Sequence, residues 1–111
     1  MSLSKQEMHQ LTQGLIVFEL ERAREKFPKP TNSPHEGFAV LKEEIDELDE
    51  EMDLLRVMND VLWKQVRNDD LAKQKETLDE MRVVLYRLLK EAIQVGAMIE
   101  KYSNDVLLTD R

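Results

Sequence analysis

The sequence predicts an all-α helical bundle of three long helices, or four if one of them breaks. Apolar residues recur in steps of three and four along most of the 111 residues, which is the spacing of helices that bury one face. Only three glycines and three prolines occur, too few turn residues for a β-sandwich or barrel. A chain of this length is expected to form one domain, residues 1–111, with a small core. We therefore expect a dimer or tetramer to complete the bundle.

The first helix is predicted over residues 4–26. The Pro-rich segment that follows, residues 27–32 (FPKPTN), ends it because residues before proline disfavour helical backbone. The apolar residues of this helix fall on two neighbouring stripes, which predicts contact with more than one helix. One stripe consists of Met8, Leu11, Leu15 and Phe18, and the other of Ile16, Leu20, Ala23 and Phe27.

The second helix is predicted over residues 34–67. Ser33 is a favourable N-cap, Pro34 occupies the first helical position, and Glu36 completes a capping-box pattern with Ser33. Apolar residues then follow a heptad pattern, with Asn59 at its one polar position, which predicts a seam against another helix. The seam consists of Phe38, Leu41, Ile45, Leu48, Met52, Leu55, Leu62 and Val66.

The third helix is predicted over residues 70–103, with Asp69 or Asp70 as its N-cap. Small residues near its end, Gly96 and Ala97, predict that another helix approaches closely there. A second apolar seam with three-four spacing runs along this helix. It consists of Leu78, Met81, Leu85, Leu88, Ala92, Val95, Ile99 and Tyr102.

Composition excludes several classes of function. The formal net charge of -7 argues against binding of a nucleic acid polymer, which needs a basic surface. The absence of cysteine excludes disulfides, thiolate zinc sites and a cysteine nucleophile. No apolar run approaches the ~18 residues of a membrane span, and no signal-peptide pattern occurs at the N-terminus. We expect a cytoplasmic protein with no membrane partner.

Two pairs of polar residues border the predicted seams and are candidates for a metal site. Glu44 and Glu47 are three apart, so their side chains lie ~5–6 Å from one another on one face of the helix. Glu91 and Gln94 have the same spacing and the same position relative to the third-helix seam. Carboxylates gathered at a helix–helix edge favour a hard cation, Mg²⁺ first and Mn²⁺ second. A solvated acidic face is the other interpretation of these residues.

Two other carboxylate arrangements fit less well. Glu76 and Asp79 follow their seam positions, so they would border the opposite edge of the third helix. A di-iron four-helix protein needs Glu-x-x-His pairs. Neither His9 nor His35 has a glutamate three residues before it, which disfavours that class.

Two blocks, NSPHEGFAVLKEEIDEL (residues 32–48) and EAIQVGAMIEKY (residues 91–102), resemble the MazG-like proteins of the all-α nucleoside triphosphate pyrophosphohydrolase superfamily. The resemblance covers under a third of the chain. It implies an oligomeric enzyme, a homodimer or homotetramer, that hydrolyses a nucleoside triphosphate to the monophosphate and pyrophosphate with Mg²⁺, as in the removal of unwanted nucleotides. By motif it implies that Glu44 and Glu47 are the first metal-ligand pair and Glu91 the third ligand.

The chain departs from the family pattern at two places. Gln94 stands where the pattern has Asp, so it would bring to the metal an amide oxygen without a charge. Residues 53–75 look like a helical extension that lengthens the gap between the two motif blocks. These departures leave a second interpretation open, namely a diverged MazG-like helical module that acts in oligomerisation or protein interaction without hydrolysis.

Overall fold

A computed structural model describes residues 2–108. Three α-helices, α1 (Lys5–Lys26), α2 (Pro34–Arg67) and α3 (Leu71–Tyr102), are followed by a π-helical turn, Ser103–Leu107. Of the described residues, 87% are helical, and none lies in a strand. The predicted all-α fold with three helices is therefore confirmed. No helix within the described part of the chain combines the length and the apolar character that crossing a bilayer requires.

Side-chain caps determine where the first two helices begin. At α1, the N–H of Glu7 donates to Ser4 Oγ and the N–H of Ser4 donates to the Glu7 carboxylate, both at 3.1 Å. At α2, the N–H of Glu36 donates to Ser33 Oγ at 3.2 Å, as predicted. The Glu36 carboxylate accepts instead from the N–H of Asn32 at 3.3 Å, so the reciprocal bond lies one residue earlier than the capping box predicts.

In the turn between α2 and α3, the two candidate N-caps, Asp69 and Asp70, have different roles. Asp70 is the N-cap of α3, since its carboxylate accepts from the N–H of Lys73 at 3.0 Å. Asp69 has a φ of 51°, a left-handed conformation that Asp tolerates better than most residues. A tight turn of this kind directs α3 back along α2.

The chain divides into two compact units, and the division falls inside α2 and α3. The first unit consists of Met1–Glu44 and Ile93–Arg111, and the second of Ile45–Ala92. The prediction of a single domain stays a prediction.

In the first unit, glycines permit close packing against α3. A Cβ on Gly96 would lie 2.7 Å from Ile16 Cδ1, so α1 packs on the small-residue stretch that the sequence predicted. A Cβ on Gly37 would overlap the ring of Tyr102. Ala97 has no exposed surface, which completes this close contact.

A nearly buried carboxylate fastens the Pro-rich connection of the first unit. Asp105, whose side chain is 8% exposed, accepts from Arg24 at 2.8 Å and from the N–H of Thr31 at 2.9 Å. The ammonium of Lys101 lies 3.5 Å away. Burial alone would raise the pKa of Asp105, but the hydrogen bonds from Arg24 and Thr31 lower it. The network joins the end of α1, the connection and the π-helical turn.

The second unit is an antiparallel helical hairpin. Near the turn, the Thr77 hydroxyl donates to Gln65 Oε1 at 2.8 Å. Farther from the turn, Arg87 pairs with Glu51 at 3.1 Å. Val84, 2% exposed, is the most deeply buried large side chain.

The seam buried inside this hairpin differs from the predicted one. Predicted seam residues such as Met52 on α2 and Leu85 on α3 are exposed, and the residues just before them, Glu51 and Val84, lie inside instead. The apolar stripe on each helix is wide enough to contact two neighbouring elements. The contact inside the hairpin is made by one half of each stripe, and that half includes polar residues. The inner residues of the hairpin are Leu48, Glu51, Leu55, Met58, Leu62 and Gln65 on α2, and Gln74, Thr77, Met81, Val84, Leu88 and Glu91 on α3.

Candidate metal centre

Three of the predicted ligands lie together. Glu44, Glu47 and Glu91 each offer a carboxylate oxygen, and these oxygens lie within 4.8 Å of one another. Glu44 and Glu47 are one turn apart on α2, and Glu91 lies opposite them on α3. Oxygen ligands of Mg²⁺ lie ~2.0–2.1 Å from the ion and therefore ~3–4 Å from each other. Small side-chain rotations would bring the three carboxylates to that spacing.

The electrostatics of Glu91 favour a cation. Burial raises the pKa of Glu91, and the nearby carboxylates of Glu47 and Glu51 raise it further. Its Oε2 atom is buried and accepts no hydrogen bond from any described residue. An acceptor withdrawn from water without a donor is costly, and a divalent cation would remove that cost. The donor set therefore fits a hard divalent ion such as Mg²⁺ or Mn²⁺.

An ion pair that the sequence did not predict borders the three carboxylates. Arg87 Nε donates to both oxygens of Glu51 at 3.2 and 3.1 Å. Glu51 lies one turn after Glu47 on α2, and Arg87 lies one turn before Glu91 on α3. Glu51 and Arg87 are each four residues from a predicted ligand, and this spacing is the sequence signal from which the pair could have been predicted. Arg87 therefore neutralises the fourth carboxylate of this region.

The remaining predicted residues behave differently. Gln94 is half-buried on α3, one turn after Glu91, and its role as a fourth ligand stays a prediction. In the lower-ranked pair Glu76/Asp79, Asp79 pairs with Lys75 and Arg82. Because these two basic side chains neutralise Asp79, the geometry favours the Glu91 cluster over this pair as the metal centre.

Comparison of this chain with family models, curated proteins and solved structures found no match. The resemblance to MazG-like proteins therefore stays a prediction. Support for a function comes from the placement of Glu44, Glu47 and Glu91 and from the chemistry of their oxygens.

Proposed function

We propose that the chain is a Mg²⁺-dependent nucleoside triphosphate pyrophosphohydrolase of the MazG-like type. The observation that carries this proposal is the cluster of Glu44, Glu47 and Glu91 oxygens within 4.8 Å of one another, at the positions where the resemblance implies metal ligands. The reaction adds water to a nucleoside triphosphate and yields the monophosphate and pyrophosphate. We further propose that the enzyme acts in the cytoplasm as a homodimer or homotetramer.

The charge of the chain supports a role for a cation in this reaction. A protein with a net charge of -7 repels a triphosphate unless a cation intervenes. In this proposal Glu44, Glu47 and Glu91 hold Mg²⁺, with Gln94 as a further oxygen ligand. The ion supplies positive charge to the phosphate oxygens and lowers the pKa of bound water. The Arg87–Glu51 pair keeps the neighbouring charge balanced, and no covalent enzyme intermediate is required.

A pyrophosphate-release screen tests the proposal. Purified protein is incubated with Mg²⁺ or Mn²⁺ and a panel of common and modified nucleoside triphosphates. We expect release from at least one nucleotide and a loss of about 100-fold or more on Glu47→Gln, since a ligand charge is removed. Glu50→Gln, on the same helix but outside the cluster, should keep the wild-type rate. Absence of pyrophosphate from every nucleotide, or full activity of Glu47→Gln, would contradict the proposal.

A second candidate function is a helical module without hydrolysis. Gln94 favours it, since an amide brings no charge to the metal, and so do the large apolar side chains exposed in both units, such as Phe18 at 65% and Trp63 at 58%. Calorimetric titration with Mg²⁺ and a non-hydrolysable nucleotide separates the two functions. An enzyme should show saturable heat that Glu47→Gln reduces, whereas a pure interaction module should show only heat of dilution.

A further inference from the structure

We infer that Lys90 binds phosphate oxygens of a nucleoside triphosphate at the metal centre. The inference rests on the proposed function and deepens it, since it names the side chain that contacts the substrate beside the ion. Lys90 is an exposed residue of α3, and it directly precedes the candidate ligand Glu91. A lysine ammonium offers three hydrogen-bond donors on a flexible stem, which suits the oxygens of a phosphate chain.

Lys90 lies on the same side of the hairpin as Glu47. Lys90 directly precedes the inner residue Glu91, and Glu47 likewise precedes an inner residue on α2. In two antiparallel helices that face each other, residues that precede the inner positions lie on one side. Glu47 and Glu91 also lie at the same level of the hairpin, since their carboxylates meet in the cluster. The Lys90 side chain therefore begins at the edge of the metal centre.

Lys90 is close to the carboxylates of this centre without being paired to one of them. Burial raises the pKa of Glu91, as do the carboxylates of Glu47 and Glu51. The Lys90 ammonium lowers that pKa, so it lies within electrostatic range of Glu91. Within the described part of the chain, Lys90 forms no hydrogen bond or ion pair with a carboxylate. Arg87, one turn earlier, donates to both oxygens of Glu51. Unlike Arg87, Lys90 is therefore available to a ligand.

The charge of the metal centre explains what Lys90 adds. When all three carboxylates of the cluster are ionised, they carry one more negative charge than a divalent ion neutralises. A phosphate chain that approaches the ion therefore meets residual negative charge, and it needs positive charge from the protein. Lys90 supplies that charge at the edge of the cluster, as lysines do at other phosphate sites. Lys90 should therefore favour binding of polyphosphate and oppose binding of Mg²⁺ alone.

Calorimetric titration of single-charge variants tests the inference. The probes are Mg²⁺ alone and inorganic tripolyphosphate added in the presence of excess Mg²⁺. Lys90→Gln should raise the dissociation constant of tripolyphosphate by about 10-fold or more, since it removes a hydrogen bond between charged groups. It should leave the affinity for Mg²⁺ alone equal or higher, because a repulsive charge is removed. Lys90→Arg, which keeps the charge, should restore most of the affinity for tripolyphosphate.

Lys73→Gln is the matched control for the change in net charge. Lys73 is also an exposed lysine of α3, and it lies about 25 Å from Lys90 along the helix at 1.5 Å per residue. We expect this variant to bind both probes with wild-type affinity. If Lys90 only balanced the charge of Glu91, Lys90→Gln would bind tripolyphosphate as tightly as Lys73→Gln does. That result, or a wild-type protein that does not bind tripolyphosphate with Mg²⁺, would overturn the inference.

The binding measurement distinguishes this inference from the proposed hydrolysis. If Lys90→Gln weakens tripolyphosphate binding but wild-type protein releases no pyrophosphate from any nucleotide, the inference is supported and the proposed hydrolysis is contradicted. If pyrophosphate is released but Lys90→Gln and wild type bind tripolyphosphate equally, the hydrolysis is supported and the role of Lys90 is contradicted.

Discussion

Replacing Glu91 by Gln should stabilise the metal-free protein and remove most of its stabilisation by Mg²⁺. Without a cation, ionised Glu91 is half-buried beside Glu47, and this repulsion opposes folding. The amide removes the repulsion and keeps the side-chain volume. A purely structural glutamate would show the reverse, because its loss would cost stability.

The separation of the carboxylates determines how much Glu91→Gln should stabilise the metal-free protein. Two unit charges at 4.8 Å, the upper limit of the separations within the cluster, repel by about 3.5 kcal/mol at an effective dielectric of 20 and by about 0.9 kcal/mol in bulk water. Glu91 is partly exposed, so solvent screening reduces the upper figure. We expect a gain of about 1–2 kcal/mol, which corresponds to a rise in Tm of roughly 4–8 °C for a domain of this size.

The pH dependence gives the prediction a definite sign. The folded-state pKa of Glu91 is raised, so the folded protein binds more protons than the unfolded chain between the ordinary and the raised pKa. Stability contributed by this group is therefore lost as pH rises through that interval. The advantage of Glu91→Gln should be absent well below the ordinary glutamate pKa of about 4.3, where the side chain is protonated in both states, and should become complete only above the raised pKa.

Thermal unfolding followed by circular dichroism, with and without Mg²⁺, measures both effects. Mg²⁺ at a hundred times its dissociation constant would stabilise the wild-type protein by about 2.7 kcal/mol. Glu76→Gln, on the same helix but outside the cluster, should leave both the Tm and the Mg²⁺ response unchanged. A lower Tm of metal-free Glu91→Gln, or equal stabilisation of both proteins by Mg²⁺, would refute the reasoning.

Further predictions concern the first unit and its glycines. Asp105→Asn should lower the free energy of unfolding by about 2–3 kcal/mol, since it removes a nearly buried charge from its basic partners. Asp53→Asn should lower it by under about 0.5 kcal/mol, since the ion pair of Asp53 is exposed. Urea unfolding measures both values. The pKa of Asp105 is lowered, so its contribution should persist at neutral pH and disappear as acid titration passes through the lowered pKa. Gly14→Ala should raise the unfolding free energy by about 0.5–1 kcal/mol, because nothing lies within 4 Å of the added Cβ. Gly37→Ala should lower it, because the Cβ would overlap the Tyr102 ring.

Local signals in the sequence were sufficient to predict the helices. Proline at the start of α2 and a capping aspartate before α3 act over three or four residues, so they can be read without tertiary information. The proximity of Glu44 and Glu47 was predictable for the same reason, because helix geometry places residues three apart on one face. Glu91 needed only the antiparallel relation of α2 and α3 in addition.

Local signals could not predict which half of the wide apolar stripe on α2 lies inside the hairpin. Leu48 and Leu55 belong to both halves, so the three-four spacing fits either one. The two halves differ in whether Glu51 or Met52 lies inside. That depends on partners distant in sequence, such as Arg87, which pairs with Glu51. The apolar periodicity predicts that Met52 lies inside, but in the structure Glu51 lies inside the hairpin and Met52 is exposed.

This inversion connects the metal proposal with the packing of the hairpin. An isolated hairpin would gain about 1.5–3 kcal/mol for each large apolar side chain that it fully buried, yet Met52 and Leu85 are 36% and 41% exposed. Inside, Glu51 needs Arg87, and Glu91 has a buried oxygen without a donor. Such an arrangement is favourable when a cation neutralises the carboxylates.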